Sequence, residues 1–248
     1  MNLFPFPKPL VLGHRGASKV APENTITAFR LALESGADGI ELDAHLTRDG
    51  SVVVIHDGQV GRTTNGRGRL ADLTLAEIQR LDAGSWFGPA YSKEKVPSLA
   101  QVFQELGGSP VYDLEIKNLD APGNGLERKV IALVRQFGLE KRVLISSFNP
   151  LAVRIFRREL PEAPAMLLLL GGAAGQAELN LIGRWASPEM IGLFHRDLSE
   201  GAIQRMGNRN VLVWGPSNSQ EVRRAVESGA VGIIVDDPAM ARKALESA

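Results

Sequence analysis

Cysteine is absent from the 248-residue sequence, which excludes disulfides and any zinc site built on thiolates. Net charge is absent as well: 28 Lys and Arg balance 28 Asp and Glu. No bulk basic field therefore draws the chain to nucleic acid or to an anionic membrane, and affinity for a phosphate has to come from a local cluster. Long apolar runs are scarce. The longest uncharged run, residues 163–177, is broken by glycines and falls short of the ~20 residues of a membrane span. The opening MNLFPFPKPLVLG has three prolines and neither a basic leader nor an apolar helical stretch, so no signal peptide is expected there. The composition predicts a cytoplasmic protein with no membrane insertion and no nucleic-acid partner.

What the sequence does have is rhythm. Short apolar runs at 10–14, 39–46, 52–56, 111–117, 143–148, 165–170, 190–195, 211–215 and 232–237 alternate with amphipathic stretches such as LERKVIALVRQFG and SQEVRRAVESG. Strand followed by helix, repeated, argues for a parallel sheet. Nine strands are one too many for a closed (β/α)8 TIM barrel. However, only TRDGS separates the second run from the third, far too little for a parallel crossover, and Asp49-Gly50 is a tight-turn signal. The third run is therefore the return arm of a β-hairpin after strand 2, and eight parallel strands remain. ESGADGIELD and ESGAVGIIVD echo each other; each reads as a helix end, a Gly stop and a strand closing on Asp. Residues 58–97 lack the rhythm and are read as a small insertion over one barrel mouth, within a single domain spanning 1–248.

In such a barrel the polar residues near the C-terminal strand ends face the active site. They are His14 and Arg15, Glu41 and Asp43, His56 and Asp57, Glu115 and Lys117, then Ser147, Trp214 and Asp236. A side-chain period of two puts Glu41 and Asp43 on one face of their strand, and Glu115 and Lys117 on one face of theirs. Three converging carboxylates repel one another unless a cation joins them. An all-oxygen set favours one divalent cation, Mg²⁺ or Ca²⁺. Arg15 and Lys117 beside it make a pocket for a phosphate ester, and His14 and His56 are suited to acid–base work near neutral pH. Trp214, Asp236 and His45 are further pocket candidates. His195, Arg157–Arg158 and Arg223–Arg224 are read as structural or solvated.

GHRGASKVAPENTITAF, ELDAHLTRDGSVVVIHD, RTTNGRG and LEIK, in this order and spacing, resemble the signature segments of the glycerophosphodiester phosphodiesterases. The resemblance runs along essentially the whole chain. It implies a TIM barrel with a small inserted region, a divalent metal, and hydrolysis of a glycerophosphodiester to sn-glycerol 3-phosphate and an alcohol. It also implies His14 and His56 as the catalytic pair, Glu41, Asp43 and Glu115 as metal carboxylates, and Arg15 and Lys117 as phosphate contacts. The chain departs from the family pattern in its last third, with WGPSN where members often have Trp-Thr-Val-Asn, and Val235-Asp236-Asp237 where Thr-Asp is usual. His14 is read as the base and His56 as the acid, with the opposite assignment equally compatible. The alternative activity is phospholipase D-like hydrolysis of lysophospholipids on the same site, with Trp86, Phe87 and Tyr91 lining an acyl entry or forming the insertion's own core.

Overall fold

The computed structural model describes residue 6 and residues 9–118, 123–171 and 183–247. Nine strands form one sheet: β1 (Leu10–His14), β2 (Gly39–Leu46), β3 (Val52–Val54), β4 (Val111–Ile116), β5 (Val143–Ser147), β6 (Ala165–Leu168), β7 (Met190–Phe194), β8 (Asn210–Trp214) and β9 (Gly232–Val235). All but β3 pair in parallel, and β1 pairs with both β2 and β9, which closes an eight-stranded barrel. β3 runs antiparallel to β2, with Ala44 opposite Val54 and Leu46 opposite Val52. The Asp49-Gly50 turn is as expected, with Gly50 at φ 75°. Within residues 163–177, Ala165–Leu168 is strand; residues 172–177 lie outside the described part.

Eight helices of the described residues follow in chain order: α1 (Ile26–Glu34), α2 (Leu75–Ile78), α3 (Leu99–Leu106), α4 (Leu126–Gln136), α5 (Pro150–Glu159), α6 (Gly183–Ala186), α7 (Ser219–Glu227) and α8 (Pro238–Glu246). Their starts are written locally. Thr25, Ser98, Asn149, Asn218 and Asp237 each cap a free backbone N–H of the first turn. The connection from β7 to β8 contains two short 3₁₀ turns, His195–Asp197 and Gln204–Met206.

The two echoing segments occupy equivalent places. Gly36 and Gly229 end α1 and α7 at φ 87° and 100°, a conformation glycine adopts without cost. Gly39 and Gly232 then open β2 and β9, where a Cβ would lie 1.9 Å from the Val111 carbonyl oxygen and 2.8 Å from Leu10 respectively.

Apolar side chains fill two layers. Val11, Ile40, Leu42, Leu114 and Ile145 face the helices, while Leu10, Leu12, Leu144, Met166, Met190 and Leu212 fill the barrel interior. Burial on both faces explains why most strands read as unbroken apolar runs. Residues 58–97 build a small core of their own from Val60, Leu70, Ile78 and Ala83 against Val53 and Ile55 of the hairpin arm. Among the described residues no helix is long and apolar enough to cross a membrane.

Most strands stop one or two residues short of the apolar runs. His56, Lys117, Phe148, His195 and Asp236 have left the ladder and start the loops at the barrel mouth, and Asp237 has become the cap of α8. The arginines read as solvated are partly tied down. Arg157 pairs with Glu189 and donates to the Ser187 carbonyl, and Arg224 donates to the Leu198 carbonyl.

Candidate active site

β2 and β4 lie side by side with Glu41 opposite Asp113 and Asp43 opposite Glu115. Oxygens of Glu41, Asp43 and Glu115 all fall within 4.8 Å of one another, so the three expected carboxylates do converge. Glu41 and Asp43 are 3% and 0% exposed. Burial, with Asp43 and Glu115 adding repulsion, pushes the Glu41 carboxyl well above the usual range. Burial also raises Glu115. It pushes Asp43 the same way, but Arg15 and Lys117 outweigh it and hold Asp43 low. Glu41 Oε1 and Asp43 Oδ1 are buried without a hydrogen-bond partner. A divalent cation fits this set: it supplies the partner those two oxygens lack and offsets the repulsion.

The loop after β1 explains how the cluster is held. Arg15 adopts φ 54° and Asn24 φ 58°, and Gly16 lets the chain approach α1, where a Cβ would lie 2.5 Å from the Ala28 backbone. This turn aims the Arg15 N–H at Glu41 Oε2, 2.9 Å away. The Arg15 guanidinium bonds Glu23 at 2.9 Å and sits 3.3 Å from Asp43 Oδ2. Asn24 donates to Asp43 Oδ2 at 2.8 Å. Lys117 lies 2.8 Å from Glu115 and 3.5 Å from Asp43.

Two imidazoles face the cluster. His14 Nδ1 is 2.6 Å from Asp236 Oδ1, and His56 Nδ1 is 2.6 Å from Asp57 Oδ1. Hydrogen bonds hold both carboxyls below their usual range, Asp57 at about 2, so each accepts from Nδ1–H and leaves Nε2 free. His14 Nε2 is 3.9 Å from Glu41 Oε2. Burial lowers His56, and Lys117 and Arg15 lower it further.

A cavity of about 280 Å³ opens above these groups, lined by His14, Arg15, Glu41, His56, Glu115 and Lys117 on one wall and by Phe148, Leu168, Trp214 and Ile234 on the other. Trp214 belongs to the cavity, its ring tilted against that of Phe194 with centroids 4.4 Å apart, and its Nε1 is buried and unpartnered. His45 does not line it. Its Nε2 donates to the His56 carbonyl at 2.9 Å, which supports the hairpin arm from behind. Ser147 is turned away and donates to the Ile116 carbonyl, leaving Ser146 as the serine that lines the cavity. His195 lies 3.4 Å from Glu221 and does not line the cavity. Trp86, Phe87 and Tyr91 make edge contacts in sequence, Trp86 with Phe87 and Phe87 with Tyr91, and are not among the residues that line the cavity.

Asp113 was not among the expected site residues, although the period of two that links Glu115 to Lys117 reaches back to it. It is fully buried, accepts from Ser146 Oγ at 2.6 Å, and has its Oδ2 unpartnered. Burial pushes it up to about 8. A carboxyl raised on folding favours the folded state at low pH, and that contribution is lost as pH rises between the unfolded value, about 4, and the folded one. Stability of the cation-free protein will therefore fall relative to Asp113→Asn by up to about 1.4 kcal/mol per pH unit over this window. Urea midpoints of both proteins from pH 5 to 8 check this; parallel curves would refute it.

Residues 14–240 match the model of the glycerophosphoryl diester phosphodiesterase family. The chain is 39% identical over 235 residues to a glycerophosphodiester phosphodiesterase of Caldanaerobacter subterraneus subsp. tengcongensis, covering 93% of this chain and 95% of that one. Its fold is similar to that of an Oleispira antarctica phosphodiesterase solved with the product sn-glycerol-3-phosphate, with TM-score 0.88, 25% identity, and 96% and 97% of the two chains covered. It is also similar to a glycerophosphodiester phosphodiesterase of Agrobacterium tumefaciens, with TM-score 0.80, 30% identity, and 95% and 99% covered.

Proposed function

Because the chain belongs to the glycerophosphodiester phosphodiesterase family, we propose that it hydrolyses deacylated glycerophospholipids, such as glycerophosphocholine and glycerophosphoethanolamine, to sn-glycerol 3-phosphate and an alcohol. The observation that carries this reading is the cavity lined together by two carboxylate-anchored imidazoles, Arg15, Lys117, Glu41 and Glu115, with Asp43 buried against the same two carboxylates. Glu41, Asp43 and Glu115 would hold one hard divalent cation, Mg²⁺ or Ca²⁺, which when bound draws charge from the phosphoryl oxygens. Arg15 and Lys117 add fixed positive charge where the phosphate sits, stabilising the charge that grows there in the transition state.

The surroundings of His56 favour the second of the two role assignments left open by the sequence. His56, lowered by burial and by its cationic neighbours, is neutral at neutral pH, so its free Nε2 can accept the proton of the attacking water or hydroxyl. His14 then supplies a proton from Nε2 to the departing alkoxide while Asp236 holds its Nδ1.

Incubating the purified protein with each glycerophosphodiester, with Mg²⁺ and with Ca²⁺, and measuring sn-glycerol 3-phosphate enzymatically tests the reading. Release of choline or ethanolamine in equal amount is expected; no product from any glycerophosphodiester would overturn it.

A further inference from the structure

The sequence segment RTTNGRG contains an arginine that the chemistry above does not use. Arg62 lies in the insertion, yet its guanidinium is engaged on both sides. Nε donates to Asp57 Oδ2 at 2.6 Å and Nη2 reaches Asp57 Oδ1 at 3.3 Å. Nη1 and Nη2 donate to the two oxygens of Glu23, both at 2.8 Å. Glu23 in turn accepts from Arg15 Nη1 at 2.9 Å, and Asp57 accepts from the His56 ring. A continuous chain of charge-assisted bonds thus runs from His56 through Asp57, Arg62 and Glu23 to Arg15.

An exposed ion pair alone contributes about 0–1 kcal/mol and does not carry a role. Three features separate this one. Each carboxylate meets the guanidinium through both oxygens, the arrangement that fixes planes as well as distances. The Glu23 side chain is only 13% exposed. The turn that presents Arg62 is itself anchored: Thr63 and Thr64 are buried, and Thr64 Oγ1 donates to the Val60 carbonyl at 2.7 Å. The other imidazole has no such clamp. Its carboxylate, Asp236, receives a second bond from the neutral Ser18 hydroxyl at 3.0 Å.

We propose that Arg62 and Glu23 are positioning residues, an ion-pair relay by which the insertion fixes the His56 ring and the Arg15 guanidinium in their working orientations. The relay deepens the phosphodiesterase reading and rests on it for its kinetic consequence. Without Arg62, Asp57 is free to turn away and the His56 ring to rotate, while Arg15 keeps its own bond to Glu23, so the proton-transfer step suffers and substrate binding changes little.

In Arg62→Gln, kcat on glycerophosphocholine is expected to fall on the order of tenfold or more, with KM within about twofold of wild type. Arg62→Lys restores charge without the two-sided fork and is expected to recover little. Added guanidinium is expected to rescue Arg62→Ala in part. The double variant Arg62→Gln/Glu23→Gln is expected to be less impaired than the product of the single effects, because both break one chain. Arg67→Gln, an exposed position of the same insertion, serves as control. Proton NMR gives a readout independent of turnover: a His56 Nδ1–H resonance is expected in wild type and is expected to be lost in Arg62→Gln while that of His14 persists. Unchanged kcat, or a retained His56 resonance, overturns the relay. If wild type is inactive on every glycerophosphodiester, the phosphodiesterase reading fails and the resonance still decides whether Arg62 orients His56.

Discussion

Stripping the protein with a chelator will lower its turnover of glycerophosphodiesters by on the order of 10³-fold or more, and restoring Mg²⁺ or Ca²⁺ will bring it back. The size of the effect follows from the triad. Three carboxylates share one buried site, so without a cation burial and mutual repulsion favour a protonated Glu41, and Arg15 and Lys117 are drawn into pairing with Asp43 and Glu115. Both bases are then less available to a phosphate. The sign of the pH dependence is also determined. Glu41 and Glu115 are raised in the cation-free protein, so binding a cation expels protons and the apparent affinity rises with pH. Isothermal titration in two buffers of different ionisation heat measures that release directly, and thermal melts should rise with cation concentration. Glu41→Gln removes one ligand and should weaken the cation while leaving the barrel folded, since it also relieves a buried charge. Full turnover in a preparation shown to be free of divalent cations would defeat the assignment of Glu41, Asp43 and Glu115.

How much of this site could be read beforehand depends on the kind of contact involved. Glu41, Asp43 and Glu115 stand out because ionisable groups interrupt strands that are otherwise apolar, and a two-residue period places them without knowledge of the fold. The hairpin was legible for an equally local reason: five residues cannot make a parallel crossover. Where the local signal is degenerate the phase is lost. β5 is buried on both faces, so nothing in VLISS distinguishes the inward serine from the outward one, and Ser146 was missed in favour of Ser147. The partners of the site residues were harder still. Asp236 is 222 positions from the His14 it orients; the apolar run and the echo of two αβ segments pointed to a strand end there, not to its partner. Glu23 and Arg62 are 39 positions apart and meet because the insertion folds against the loop after β1, which no periodicity encodes. Asp113 was legible and overlooked, since the step from Lys117 to Glu115 leads on to it.

Alanine at His14 or His56 will each cost on the order of 10²-fold or more in kcat on glycerophosphocholine. The two losses should separate on an activated substrate. A glycerophosphodiester whose leaving group is p-nitrophenolate departs without needing a proton, so the variant lacking the general acid recovers much of its rate on it and the variant lacking the base does not. With His14 as the acid, His14→Ala is the one expected to recover. The environments carry that assignment: His56 is lowered by burial, with Lys117 and Arg15 adding to it, which keeps it in the unprotonated form a base requires. The acidic limb of kcat/KM reports the free enzyme's base and should therefore fall below the ordinary histidine value of about 6.5. His56→Ala should remove that limb from the residual activity, while His14→Ala should leave it in place. Recovery of His56→Ala on the nitrophenyl substrate would exchange the two roles, and near-full activity of either variant on glycerophosphocholine would remove that histidine from the reaction altogether.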